Sequence, residues 1–277
     1  MRALFLLPGD SSRQLQAFPA VAAVADQLKA VVQVVCPAEA VGLWRLHPGV
    51  SRALPFSFAN ATLADWANLL GSVREPDFQL CINRAPSRAM DLMLSMSHIP
   101  TRVASQGFSA TALVQEPAGG WPSQAWETWL RPLGLSLNAE AFRLPIPPAD
   151  LQAAAAALPA GDGPLLLQAP AGGVGDWPPE RWQELPALIA AQLPGLRSAR
   201  AGEGSWSQRA ARLACADVVL ASDPASVELA LLLGLPLVAL GAAAGDLPQR
   251  EGVKALGNAD ELSQLGSAAV LSALGLA

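Results

Sequence analysis

Two Rossmann-like α/β domains, each a parallel sheet covered by helices on both faces, are what this sequence predicts. Three observations carry the expectation. Short apolar runs alternate with longer amphipathic ones in both halves of the 277-residue chain, the pattern of strands buried on both faces by crossover helices. A proline-rich stretch, FRLPIPPADL, with Pro145, Pro147 and Pro148, separates the halves and reads as a stiff, extended link. The longest uncharged stretch, Leu229 to Gly245, is split by Gly234-Leu235-Pro236 into a helix and a strand, so no segment reads as a membrane span. The expected domains are 1–147 and 148–277, with a cleft between the strand C-termini of both.

In the first half RALFLL reads as a strand and Gln14 to Lys29 as a helix. VVQVVCP follows as a strand, then a short helix from Ala38 to Leu46 and the strand RALPFSF. Thr62 to Ser72 reads as a helix with Thr62 as its N-cap. FQLCINR is a strand, Ser87 to Met96 a helix, and TRVAS a strand. Trp121, Trp126 and Trp129 fall at helical spacing, which favours core packing over a ligand platform. After the link, a helix through AAAAAL leads to the strand PLLLQAP, the helix PERWQELPALIAAQL, the strand RSARAG, the helix SQRAARLAC and the strand DVVLAS. A helix opening at Pro224, the strand PLVALG and a last helix from Ser267 to Leu274, placed to pack back over the domain joint, complete the second half.

Composition narrows the function. Net charge is −5 and no basic run is longer than two residues, so a phosphate backbone has no footprint here and nucleic acid is not expected as a partner. Cys36, Cys81 and Cys215 are far apart and odd in number, which indicates neither a zinc site nor a disulfide framework but isolated buried thiols in a reducing cytoplasm. The apolar run in MRALFLLPGD is ended by Pro8-Gly9-Asp10 too early for a signal peptide.

In order and spacing the segments HPGVSRALPF (47–56), PDFQLCINR, HIPTRVA (98–104), WLRPLGL (129–135), APAGG…WPPERWQEL (169–185) and ADVVLASDPASVELALLLGLPLVALG (216–241) resemble glycosyltransferase family 9, the heptosyltransferases of lipopolysaccharide core synthesis. The resemblance implies a GT-B fold, with the acceptor on the N-terminal domain and an ADP-sugar on the C-terminal one. It also implies sugar transfer with inversion and neither metal nor other cofactor.

Several positions depart from that family. Its Gly-Asp pair after the first strand, whose Asp is the presumed base, falls on Ser12-Arg13. Arg13 cannot accept a proton at neutral pH, so it reads as a ligand for phosphate or carboxylate, or as a solvated loop residue. Asp10, in the same loop, is either a substitute base or a cap. The family's lysine before W-P falls on Gly175, and its D-[ST]-G-x-x-H falls on Asp223, Pro224, Ala225 and Glu228 around Ser226. Pro224 has no N–H, Ala225 adds a Cβ where glycine admits a phosphate, and Glu228 brings a negative charge, all against anion binding. Pro224 after an Asp223 N-cap is nonetheless a good helix start. Gly172 and Gly173 allow a backbone to approach a ligand or form an ordinary loop. Glu203 is a candidate for ribose hydroxyls. Trp177 and Trp182 read as packing, and neither His47 nor His98 is assigned to catalysis.

Two functions follow. One is an inverting transferase taking a nucleotide-sugar donor and a glycan or lipid-linked acceptor, cytoplasmic and in peripheral contact with the inner membrane. The other is an inactive relative that binds a glycan, nucleotide or protein. A two-domain nucleotide-sugar epimerase is the distant third.

Overall fold

The structure is a computed structural model and describes residues 1–276. It forms two compact units, Met1–Phe142 and a second one that begins at Arg143, each an α/β layer built on a parallel sheet.

In the first unit β1 (Arg2–Leu6) leads into α1 (Ser11–Gln16) and α2 (Phe18–Gln27). The single helix expected from Gln14 to Lys29 is broken at Ala17, because Pro19 in the first turn of α2 has no N–H to continue α1. β2 (Val31–Cys36) follows, then two 3-10 turns, Ala38–Ala40 and Leu43–Leu46, where one short helix is expected. Next come β3 (Val50–Pro55), α3 (Leu63–Arg74), β4 (Leu80–Asn83), α4 (Arg88–Met96) and β5 (Thr101–Ala104). β6 (Ala112–Leu113), α5 (Pro122–Ala125) and α6 (Glu127–Leu130) complete the unit. The strands lie parallel in the order β3-β2-β1-β4-β5-β6, the dinucleotide-fold order whose direction reverses between β1 and β4.

Local chemistry sets these boundaries. Thr62 caps α3 in a reciprocal box, with its hydroxyl 3.3 Å from the Asp65 N–H and the Asp65 carboxylate 2.8 Å from the Thr62 N–H. Ser87 caps α4 through the Met90 N–H at 3.1 Å. One sheet face, with Leu4, Leu6 and Cys81, packs under α3 and α4. On the other, Phe5 meets Trp126 at 6.2 Å between ring centroids, and Trp126 and Trp129 are buried, as packing requires.

The second unit opens with α7 (Pro148–Ala156) and β7 (Leu165–Ala169), followed by α8 (Pro179–Gln192), β8 (Arg197–Arg200), α9 (Trp206–Ala214) and β9 (Val218–Ala221). It ends with α10 (Pro224–Leu233), β10 (Leu237–Leu240), β11 (Val253–Leu256) and α11 (Ser267–Ala273). The parallel order β11-β10-β9-β7-β8 is the flavodoxin-like variant of double winding, with its reversal between β7 and β9. The proline link is tied to α10 by the Leu144 N–H and the Leu232 carbonyl, 2.9 Å apart. α11 lies on its own unit, where Val270 and Leu271 join Trp177, Trp182, Leu185 and Ile189 in one core cluster.

Cys36 and Cys81 are buried and Cys215 is partly so. Burial raises the Cys36 thiol to about 12 and pushes the other two up as well, so all three are protonated, weak nucleophiles at neutral pH.

His47 is a buried titratable group whose protonation bears on stability. Its ring stacks on Phe142 at 5.7 Å, Nε2 lies 3.0 Å from the Phe18 carbonyl, and Nδ1 accepts the Gly49 N–H at 3.0 Å. Both nitrogens are thus satisfied by the neutral ring carrying its proton on Nε2. Burial lowers its pKa from 6.5 to about 4, only partly opposed by the Phe18 carbonyl. The unfolded chain takes up this proton near pH 6.5 and the folded chain does not, so the stability held by the neutral ring is lost as pH falls from 6.5 towards 4. Urea unfolding at pH 7 and pH 5 should show wild type losing about 2 kcal/mol more than His47→Gln over that interval. Equal losses in the two proteins would transfer the effect to carboxylates.

Candidate functional site

In a parallel sheet the turns at the C-terminal ends of the strands gather on one edge, and ligands bind where the strand order reverses. Each unit has such an edge.

In the first unit the β1 turn, 7–10, is fastened from below. Gln14 is fully buried, and its amide donates to the carbonyls of Leu7, Pro8 and Gly9 at 2.9, 3.3 and 3.3 Å while its Oε1 accepts the Trp44 indole N–H at 2.8 Å. Gly9 has φ +101°, a conformation that favours glycine, and a Cβ there would lie 2.8 Å from the flexible Arg13 side chain, which would have to shift. Asp10 is exposed and caps α1, its Oδ1 accepting the Arg13 N–H at 3.0 Å. Its carboxylate makes no other hydrogen bond among the described residues.

Arg13 is exposed, with its stem laid against Gly9. Across the strand reversal Arg84 follows β4, with its guanidinium 4.9 Å from the Trp126 ring and 4.7 Å from the Trp129 ring, paired with Glu116 at 3.3 Å. Desolvation against these rings lowers the Arg84 pKa. Glu116 opposes that shift, and the positive charge of Arg13 adds to it. The charge of Arg13 is therefore felt at Arg84, which is itself paired with Glu116. Nothing local in the sequence singles out Gln14 or Arg84, since their partners come from other elements.

On the other side of the β1 turn lies a cavity of about 800 Å³, bounded by Pro8 and Gly9, by the segments after β2 and β3, and by α3. Its lining carries Glu39, Asp65 and Asn68 with the rings of Phe56 and Phe58.

In the second unit the turn at 221–226 is built as a cap. Asp223 Oδ2 accepts the Ser226 N–H at 2.6 Å, Pro224 occupies the first helical position, and Ala225, Ser226 and Glu228 are buried. Sequence reasoning missed Arg209. From α9 its Nη2 donates to Asp223 and its Nε to Ser226 Oγ at 3.1 Å, and its guanidinium lies 5.5 Å from the Trp206 ring centre. A cation is therefore present at the start of α10, supplied by a neighbouring helix. Trp206, three residues before Arg209, is the one signal in the sequence that could have drawn attention to it.

The loop after β7 reaches the same turn, with the Ala171 N–H 2.9 Å from Ser222 Oγ. Gly172, Gly173 and Gly175 have φ of +73°, +94° and +91°, and a Cβ on any of them would meet open space. Conformation rather than crowding calls for glycine there. Asp176 closes this loop by accepting the N–H of Gly172 at 2.8 Å and of Trp177 at 2.7 Å. Glu203 is exposed on the loop after β8, where its carbonyl accepts from Arg212 at 3.3 Å. Gly172, Gly173, Asp223, Pro224, Ala225, Ser226 and Glu228 thus belong to two adjoining turns at the β7/β9 reversal. Among the described residues no group of three or more His, Cys, Asp or Glu is placed to hold a metal ion, and no helix is long and apolar enough to cross a membrane.

Comparison with models of protein families gives no match, and comparison with curated proteins gives none either. Solved structures do match. The ADP-heptose lipopolysaccharide heptosyltransferase II of Escherichia coli is 17% identical with a TM-score of 0.74, over 99% of this chain and 98% of the other. A glycosyl transferase family 9 protein from Veillonella parvula is 13% identical with a TM-score of 0.79, over 99% and 96%. The E. coli heptosyltransferase WaaC, solved with ADP-2-deoxy-2-fluoro heptose, is 16% identical with a TM-score of 0.71, over 99% of both chains. The chain therefore has, over its whole described length, the GT-B α/β fold of the heptosyltransferases.

Proposed function

We propose that the protein is a glycosyltransferase that moves a sugar with inversion from a nucleotide-sugar, foremost an ADP-sugar, to a glycan or lipid-linked acceptor. One observation carries this reading: the likeness covers 99% of both this chain and a heptosyltransferase solved with an ADP-heptose analogue. In this reading the turns at the β7/β9 reversal hold the donor and the β1 edge of the first unit holds the acceptor.

Asp10 takes the proton from the acceptor hydroxyl. The freed oxygen forms a bond to the anomeric carbon as the bond to the nucleoside diphosphate breaks. Its exposure and singly engaged carboxylate suit that role, and a positioned base contributes ~10²–10⁴-fold. Arg13 faces the charge of the reacting groups. Gly172 and Gly173 border the diphosphate, and Glu203 accepts from ribose hydroxyls.

The donor turn is weakened in its family contacts. The Ser226 N–H is committed to Asp223, Pro224 has no N–H, and Glu228 stands buried in the helix. Arg209 is the compensating cation, and the diphosphate must compete with Asp223 for it. A charge-assisted hydrogen bond contributes roughly 1.5–3 kcal/mol, so Arg209→Ala should weaken ADP-sugar binding about tenfold or more, as read by calorimetry beside UDP- and GDP-sugars. The series Pro224→Ser, Ala225→Gly and Glu228→His, with and without Gly175→Lys, should tighten it. Absence of binding by every nucleotide-sugar would favour a catalytically inactive binding protein.

For the chemical step, Asp10→Asn should lower turnover by about 10²-fold or more while leaving donor affinity unchanged. Unchanged turnover would remove Asp10 from the mechanism.

A further inference from the structure

We infer that the sugar unit held in the first unit's cavity is uncharged or amine-bearing, and that units carrying a carboxylate or phosphate at this point are rejected. This deepens the glycosyltransferase reading and rests on it.

The cavity, about 800 Å³, is within the range of small-ligand sites. It begins at Pro8 and Gly9, one residue before Asp10, so a sugar seated in it lies beside the proposed base. Its ionisable lining groups are two carboxylates, Glu39 from the turn after β2 and Asp65 from α3. Neither the β1 turn nor the segment after β3 contributes another, and no Lys or Arg lines it. Ser57, Asn68 and Ser72 supply neutral donors and acceptors.

Each carboxylate suits hydroxyl or ammonium donors. Glu39 is exposed. Asp65 receives both Thr62 bonds, at 2.7 and 2.8 Å, on Oδ2, which leaves Oδ1 for a ligand. Those bonds also lower the Asp65 pKa, so the group is ionised at neutral pH. Phe58 lies edge-on to Phe56 at 5.2 Å, and Phe56 edge-on to Trp66 at 4.9 Å. This wall is aromatic and offers an apolar surface to the C–H face of a pyranose.

An anionic sugar would meet two like charges and no counter-ion. The nearest cation to the β1 turn, Arg13, has its stem over Gly9 and is not part of the lining. The two sides of the turn thus differ: the cavity lining holds carboxylates without a cation, while at the β1/β4 reversal Arg84 is paired with Glu116.

Ligand-observed NMR on the full chain, with and without ADP, compares a methyl hexoside and its 2-amino analogue with the matching uronic acid and 6-phosphate. The neutral and amino sugars should bind, and the acidic ones should bind about threefold to tenfold more weakly at low salt. That gap should shrink in 0.5 M salt and in Glu39→Gln, with Asp65→Asn as a second variant. The salt series on wild type reads the same effect with no substitution. Equal or tighter binding of the acidic sugars, a gap indifferent to salt and to both carboxylates, or no binding by any sugar would overturn the inference. If the charge preference holds but no nucleotide-sugar is bound or turned over, the transferase reading fails and the sugar site stands. Turnover onto an acidic acceptor alone would do the reverse.

Discussion

Parallel pairing constrains everything else in this protein. A parallel strand can be followed by its neighbour only through a crossover, so every β-to-α turn leaves the sheet at the same edge. Both sheets are wholly parallel. Asp10, Arg13 and Arg84 therefore meet at one reversal, and Gly172, Ser222 and Asp223 at another, although neither set is contiguous in sequence. The central strands have no free face, which is why RALFL and LLLQA are almost entirely buried.

Polar side chains working beneath those turns hold them in shape. Gln14 sits in the core with no exposed surface and spends its amide on three successive carbonyls of the β1 turn. A buried amide left without partners costs about 1–3 kcal/mol, and this one is satisfied at both ends. Arg209 does the corresponding work at the start of α10, where it bridges Asp223 and Ser226. In both places a side chain from a helix outside the turn supplies what the turn's own residues cannot.

Charge then distinguishes the surfaces. The β1 turn separates two arginines from a cavity lined with carboxylates. At α10 the charge of Asp223 is balanced by Arg209. Changes that look like plain loss in the sequence, Pro224 and Ala225 for hydroxyl and glycine, accompany a cap and an ion pair that stabilise the helix start on their own. A helix start satisfied in this way is sound as structure and has less to offer an anion.

The sequence by itself determined the fold class, most element positions and the helix starts at Thr62, Ser87 and Asp223. Each of these is a local matter of periodicity, capping or a missing N–H. It did not determine the break at Ala17, where Pro19 acts only once α1 has formed, nor the two-residue strand β6, which is too short to show periodicity, nor β11. It marked the turns at the β7/β9 reversal by their glycines and the Asp-Pro pair. Only tertiary structure decided that Arg209 reaches that turn, that Gln14 fastens the β1 turn, and that Glu39 and Asp65 share a cavity. The physical reason is that a side chain's partners are chosen by which strand lies beside which in the sheet. That order is a property of the whole unit and leaves no mark in the spacing of neighbouring residues.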